Sequence, residues 1–237
     1  MKVTGEVYRD RGERIRNEDS LLFCVLRAGR KRIVLAAVAD GIGSLDLGAE
    51  AGSFVLERLR SGLYHTIVPA VNRKKGFSLI RRCMLRELIG ISMRMREYGR
   101  EEKVSFGTTL SMILIVGRRY LAINLGDSLI FRAFWRSKGR LIPLCRPDRN
   151  PDGSLSSGIG SFPVPKLFMK TGYLTGKSVF LIASDGFHTH LSGTEHLFSP
   201  ELLPDEEAMG RRLKEAGRRI RKSGEKDNAS AILFRVG

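Results

Sequence analysis

The sequence predicts an α+β fold in which two mainly antiparallel sheets pack together and helices cover the outside. Three observations lead there. Several short runs rich in Val, Ile and Leu are joined by turns of a few residues, and a parallel crossover needs about a dozen residues or more. Other stretches repeat apolar residues at helical spacing. Two packed sheets with helices outside would bury all of these apolar faces.

Taken in order, residues 20–26 and 32–39 are strand-like and flank the turn Gly29-Arg30-Lys31, so they read as a hairpin. A helix follows over about 47–63, with Ala51, Val55, Leu59 and Leu63 as its buried stripe. A second helix spans about 78–98, with Ile80, Met84, Leu88, Ile91 and Met95 inward. Methionines at this spacing fill a core rather than mark a cofactor site. Strands over 109–116, 120–125 and 129–134 are separated by Gly117-Arg118-Arg119 and Gly126-Asp127-Ser128, which predicts one three-stranded antiparallel meander. Residues 141–144 add a strand after the turn Lys138-Gly139. Pro147, Pro151, Gly153, Gly158 and Gly160 make 146–165 a loop. Residues 178–183 form a buried strand. A basic amphipathic helix covers 205–222 with Met209, Leu213, Ala216 and Ile220 inward, and 229–236 is the closing strand.

The 237 residues suit one domain over 1–237. The hydrophobic share of 42% excludes a disordered tail. Three cysteines, Cys24, Cys83 and Cys145, cannot pair completely and lack metal-ligand spacing, and Cys24 and Cys83 lie in apolar patterns, which predicts reduced, buried thiols in a cytoplasmic protein. The apolar runs 33–39 and 110–116 are far shorter than a bilayer span of ~20 residues. The polar start Met1-Lys2-Val3-Thr4-Gly5-Glu6 predicts no export. Lys plus Arg outnumber Asp plus Glu by 41 to 25, a balance of +16 that draws a protein towards polyanions. The arginines are spread over several helices without a recognition motif, so the charge reads as a solvated surface. Neither a membrane nor a nucleic acid is an expected partner, and the chain is expected to be a monomer.

In so basic a chain the placing of carboxylates is informative. Asp40 ends an apolar run and precedes Gly41; Asp127 sits in a tight turn; Asp185 follows a buried strand and precedes Gly186; Asp227 precedes Asn228 and opens the last strand; Glu18 and Asp19 open the strand at Ser20. Each pair taken singly is an ordinary turn dipeptide, as Asp46, Asp148 and Asp152 are read to be. As a set, carboxylates at converging strand ends repel one another unless a cation neutralises them. Hard divalent ions such as Mg²⁺ or Mn²⁺ suit such oxygen ligands.

Read together, these pieces resemble the PPM family, the metal-dependent serine/threonine protein phosphatases of type 2C. Arg14-Ile15-Arg16-Asn17-Glu18-Asp19 is similar to the family's opening Arg-x-x-Asn-Glu-Asp element, and Val38-Ala39-Asp40-Gly41-Ile42-Gly43 to its Val-x-Asp-Gly-x-Gly element. Phe106-Gly107-Thr108-Thr109, Asn124-Leu125-Gly126-Asp127-Ser128, Ala183-Ser184-Asp185-Gly186 and Asp227-Asn228-Ala229-Ser230 follow in family order. The resemblance implies a four-layer αββα sandwich and hydrolysis of phosphoserine and phosphothreonine by a metal-activated water, without a phosphoenzyme. It implies two ions, with room for a third: Asp40 bridging two, the Gly41 carbonyl on one, Asp185 and Asp227 on the other, and Asp127 with Asp185 at the third position. It further implies that Glu18 and Asp19, with Asn228 beside them, orient water, and that Arg14 binds the substrate phosphate through its planar fork. Phosphorylated proteins, and a cognate Ser/Thr kinase, are the partners it implies. Animal members carry His after the Asp-Gly pair; Ile42 stands there, which leaves the general acid unassigned. His188 and His190 read as loop histidines, and Asp148-Arg149-Asn150 replaces a longer flap with an Asp-His pair. The alternative reading is a non-catalytic metal-binding module that recognises phosphorylated partners or regulates a kinase.

Overall fold

The computed structural model describes residues 1–43, 45, 47–134, 140–160, 167–174, 176–193 and 195–237. Its first half runs β1 (Val3–Asp10), β2 (Asp19–Ala28), β3 (Lys31–Asp40), α1 (Gly48–Gly62), α2 (Val68–Asn72), α3 (Phe77–Glu102), β4 (Gly107–Thr108), β5 (Leu110–Val116) and β6 (Arg119–Leu125). Then follow β7 (Leu129–Phe134), β8 (Ile142–Pro143), β9 (Ile159–Gly160), β10 (Phe168–Tyr173), β11 (Ser178–Ala183), α4 (Asp185–His188), α5 (Glu206–Lys222) and β12 (Ala229–Val236). One sheet has the order β1-β12-β11-β7-β8 and the other β10-β6-β5-β3-β2, with every neighbouring pair antiparallel. β4 and β9 pair separately.

Side-chain alternation in the strands divides the apolar residues among three cores. On β3, Ile33, Leu35, Ala37 and Ala39 face α1 and α3, where Val55, Leu59, Ile80, Met84 and Ile91 meet them. The intervening Val34, Ala36 and Val38 face the other sheet and meet Phe180, Ile182, Ile232 and Phe234. The outer face of that sheet, with Val179, Leu181, Ala231 and Leu233, packs on Met209, Leu213, Ala216 and Ile220 of α5. The layers are therefore helix, sheet, sheet, helix. A strand covered on both faces has no need of polar alternation, which is why the central strands read as unbroken apolar runs.

The meander expected over 109–134 is corrected. β5 and β6 pair as expected, but β7 leaves them and pairs with β11 in the opposite sheet. The turn Gly126-Asp127-Ser128 is a crossing between sheets, not a hairpin. Leu129, Ile130 and Ala133 of β7 are buried, as is most of β6, so either sheet would accept β7 on apolar grounds. In that placement Ile130 faces the sandwich interior and Ala133 the α5 side. The strand expected at 141–144 shortens to β8, and Lys138-Gly139 lies outside the described residues. β1 and β10 were not foreseen. Both are edge strands, exposed or half-exposed along much of their length, so neither carries an apolar run. α1 passes through a wider π turn at Leu63–Ile67 into α2, and α3 runs on to Glu102. Cys24 and Cys83 are half-buried and only Cys145 is buried; all three are free thiols. None of the helices among the described residues is long and apolar enough to cross a membrane.

Candidate metal centre at the strand ends

Both sheets open towards one cleft. Asp40 is the last residue of β3, and the β2–β3 register sets Asp19 directly opposite it. In the other sheet, Asp185 follows the end of β11, and Asp227 precedes the start of the paired strand β12. Asp127 sits where the chain crosses from one sheet to the other. That crossing depends on Gly126, whose φ of 91° is in the left-handed region, and a Cβ there would lie 2.7 Å from the Thr109 side chain. Gly186 meets a different demand. A Cβ on it would stand 2.2 Å from the Asn228 carbonyl oxygen, so its bareness lets the segments carrying Asp185 and Asp227 run side by side.

Asp40, Asp127 and Asp185 each present a carboxylate oxygen, and these oxygens lie within 4.8 Å of one another. They form the floor of a cleft of about 440 Å³, which Arg14, Glu18, Gly41, Thr109, Asp227 and Asn228 also line. Asp40 keeps a partly open face on the cleft, while protein packs round its carboxylate elsewhere. Burial, followed by the charges of Asp19, Asp185, Asp127 and Asp227, pushes its pKa well above the ordinary value. Burial and the charge of Asp185 raise Asp127 to about 6, against the pull of Arg149. Asp19 is 1% exposed and is raised by burial first and then by Asp185 and Asp227. Its Oδ2 accepts a hydrogen bond from Ser184 Oγ (3.0 Å), whereas its buried Oδ1 has no hydrogen-bond partner among the described residues. Crowded acids that resist ionising, beside an unpaired buried carboxylate oxygen, are what a divalent cation with oxygen ligands would resolve. The donor set therefore fits such an ion.

The short motifs of the sequence fix these carboxylates through the backbone. The Asp40 N–H donates to Thr109 Oγ1 (3.1 Å), and the Asp40 carbonyl accepts from Thr108 Oγ1 (2.8 Å) and the Thr109 N–H (2.8 Å). Asn124 Nδ2 donates to the Gly126 carbonyl (3.0 Å), and Ser111 Oγ donates to the Ser128 carbonyl (2.8 Å), holding both sides of Asp127. Asn228 accepts from the Glu18 N–H (2.8 Å) and donates to the carbonyls of Arg11 (2.7 Å) and Arg16 (3.1 Å). One buried amide thus ties the 11–18 loop to the start of β12. His188 Nε2–H donates to the Asp127 carbonyl (2.8 Å); burial lowers its pKa and favours the neutral ring. His190 pairs with Glu225 at 3.2 Å.

The rim is cationic. Arg14 Nη2 lies 2.7 Å from Asp227 Oδ2, so this arginine and this aspartate hold one another at the mouth, outside the tight trio. Arg16 pairs with Glu18 at 3.1 Å. Arg149, to which the sequence assigns no role, reaches into the cleft and pairs with both Asp127 and Asp185, the latter at 3.0 Å. Among 41 basic residues nothing local marks it out; the usable signal is its position in the Pro- and Gly-rich loop facing the strand ends. Of the aspartates read as turn residues, Asp148 accepts from Ser156 and Ser157 and Asp152 from Ser154, while Asp46 lies outside the described residues.

A family model described as protein phosphatase 2C matches residues 8–227. Among solved structures, the chain is similar to PppA, described as a key regulatory component of the T6SS in Pseudomonas aeruginosa. The identity is 22% and the TM-score 0.77, covering 99% of this chain and 97% of that one. It is also similar to the serine/threonine phosphatase Stp1 from Staphylococcus aureus, at 16% identity and a TM-score of 0.80, covering 100% and 96%. A third is the PPM Ser-Thr phosphatase MsPP from Mycobacterium smegmatis, solved with cacodylate, at 21% and 0.72, covering 99% and 98%. No curated protein sequence matches the chain.

Proposed function

The chain belongs to the protein phosphatase 2C family, and from that premise we propose that it removes phosphate from serine and threonine residues of proteins in a reaction that depends on Mg²⁺ or Mn²⁺. The observation that carries this reading is the trio of carboxylate oxygens within 4.8 Å at the floor of an open cleft. Asp40, Asp127 and Asp185 would hold the ions, with the Gly41 carbonyl and Asp227 completing the set. Bound divalent ions would supply activation of water near neutral pH and charge stabilisation for a phosphoryl group.

The protein's own groups do the rest. Arg14, whose side chain is 61% exposed on the rim, would bind two phosphate oxygens through its planar fork on leaving Asp227. That would hold the ester over the acidic floor. Asp19 lies across the β2–β3 register from Asp40 and Glu18 lines the cleft; both would orient water by accepting its hydrogen bonds. Ser128 and Ser184 are not nucleophiles: their hydroxyls are engaged with Thr109 and with Asp19. The basic surface would favour acidic, phosphorylated segments, and the substrate of a cognate kinase fits that description.

Hydrolysis of p-nitrophenyl phosphate and of a phosphothreonine peptide tests this. We expect activity with Mn²⁺ that EDTA abolishes, and a loss on the order of 10³-fold in Asp185→Asn. Turnover indifferent to both changes would overturn the assignment. Mn²⁺ binding without turnover would favour a non-catalytic module.

A further inference from the structure

Asp127 and Asp185 are bridged by a cation that the protein itself supplies. Arg149 Nη2 pairs with Oδ2 of both carboxylates, at 3.0 Å from that of Asp185. The loop that carries it is built, not slack. The Asp148 N–H donates to the Gly126 carbonyl (3.0 Å), and the Asp148 carboxylate accepts from Ser156 Oγ and from Ser157 Oγ (2.5 Å). Ser157 Oγ in turn accepts from the Gly126 N–H (3.2 Å). Within the loop, the Asn150 N–H donates to the Ser154 carbonyl (2.8 Å), and Arg149 Nη1 donates to the Gly153 carbonyl (3.1 Å). The loop therefore hangs from the residue before Asp127, one of the two carboxylates that its guanidinium clamps.

Resting on the functional reading above, we propose that Arg149 is a tethered cation that competes with a divalent ion for the Asp127–Asp185 edge of the cluster. While the guanidinium is seated, the chain holds ions on the Asp40 side only. A further ion enters at Asp127 when Arg149 withdraws. Space and charge both enforce the exchange. The three carboxylate oxygens span no more than 4.8 Å, which leaves no room for a guanidinium and an ion between the same two carboxylates. Two cations in that gap would also repel one another. The side-chain exposures say which partner yields: Arg149 is 43% exposed and Asp127 7%, so the arginine can swing out to water and the aspartate cannot. Arg149 pairs with Asp127 and Asp185 but, among the described residues, not with Asp40, so its reach divides the cluster in two.

Metal stoichiometry tests this without reference to activity. The full chain, Arg149→Ala and Arg149→Gln are brought to equilibrium by dialysis against graded Mn²⁺, and bound metal is counted per chain. We expect both variants to bind a further ion that the unaltered chain lacks at the same free Mn²⁺, or to bind their weakest ion on the order of tenfold more tightly. Adding Asp127→Asn to Arg149→Ala should remove that gain. The same stoichiometry and affinities in all three proteins would overturn the inference while leaving the phosphatase reading in place. Failure of every protein to bind Mn²⁺ would overturn both.

Discussion

The two halves of the cleft are built differently. The floor is made of strand ends: Asp40, Asp127 and Asp185 sit where β3, β6–β7 and β11 stop, and ladders of the two sheets fix their backbones. The rim is made of loops: Arg14 and Glu18 come from residues 11–18 and Arg149 from 148–157, each held by a few side-chain hydrogen bonds. The floor is acidic and held by strand ladders. The rim is largely basic and held by side-chain hydrogen bonds in loops. Mutual repulsion is thus concentrated on the strand ends, and the groups that relieve it in the absence of an ion are arginines on loops. On the proposed function, a site that binds both cations and a phosphate anion would gain from this division, because the same arginines would turn from the aspartates to the substrate.

The largest expected effect probes the floor. Folded, the metal-free protein keeps a proton on Asp127 up to about pH 6, whereas an unfolded Asp loses it near 3.8. Between those values unfolding releases a proton, so raising the pH favours unfolding. From about pH 4 to about pH 7, Asp127 alone should withdraw roughly 2 to 3 kcal/mol of stability in chelator. Urea denaturation of the native chain and of Asp127→Asn at the two pH values reads this contribution together with its effect on Asp40. The variant should gain on the native protein as pH rises, and saturating Mn²⁺ should reverse the order. Parallel pH profiles in chelator would mean that the floor is not strained.

A smaller effect should come from the rim at Asn228. Asn228→Ala removes the three hydrogen bonds that join the 11–18 loop to β12. It leaves the floor aspartates and their ladders untouched. We expect phosphatase activity to fall about 10- to 100-fold, as for other residues that orient a metal site from behind. The KM for the phosphopeptide should rise, since Arg14 is no longer aimed. Mn²⁺ affinity should hardly change. Equal losses in metal affinity and in activity would show that floor and rim are one unit.

The same division decides what was legible in the sequence. Carboxylates at the ends of apolar runs are visible because strand and stop are both local patterns: Ile33–Ala39 before Asp40, and Val179–Ala183 before Ser184 and Asp185. The helix stripes were equally plain, and every residue in them is buried. What failed was partner choice. β7 looked like the third strand of a meander because a three-residue turn usually closes a hairpin, and only the packing of two sheets reveals that this turn crosses between them. β1 and β10 carry no strong pattern because an edge strand need not be apolar. Arg149 was invisible for a different reason. Its sequence neighbourhood is that of many surface arginines, and its reach depends on hydrogen bonds from Ser156 and Ser157 to Asp148 that no spacing rule announces.

The smallest expected effect lies where floor and rim meet. Ser157 is 1% exposed, and its hydroxyl serves both sides, donating to Asp148 in the loop and accepting from the Gly126 N–H at the crossing. Ser157→Ala would leave a buried N–H without a partner and cut one of the ties that set Arg149. We expect a stability loss of about 1 kcal/mol in urea titrations. Hydrogen exchange should become faster across residues 148–157, with little change at β5 or β11. The small size is itself informative. If the loop were a rigid extension of the sheets, losing Ser157 would disturb the ladder at Asp127 and lower stability by much more. If it is a lever hung from Gly126, the change stays in the loop, and Mn²⁺ should displace Arg149 more readily in the variant than in the native chain.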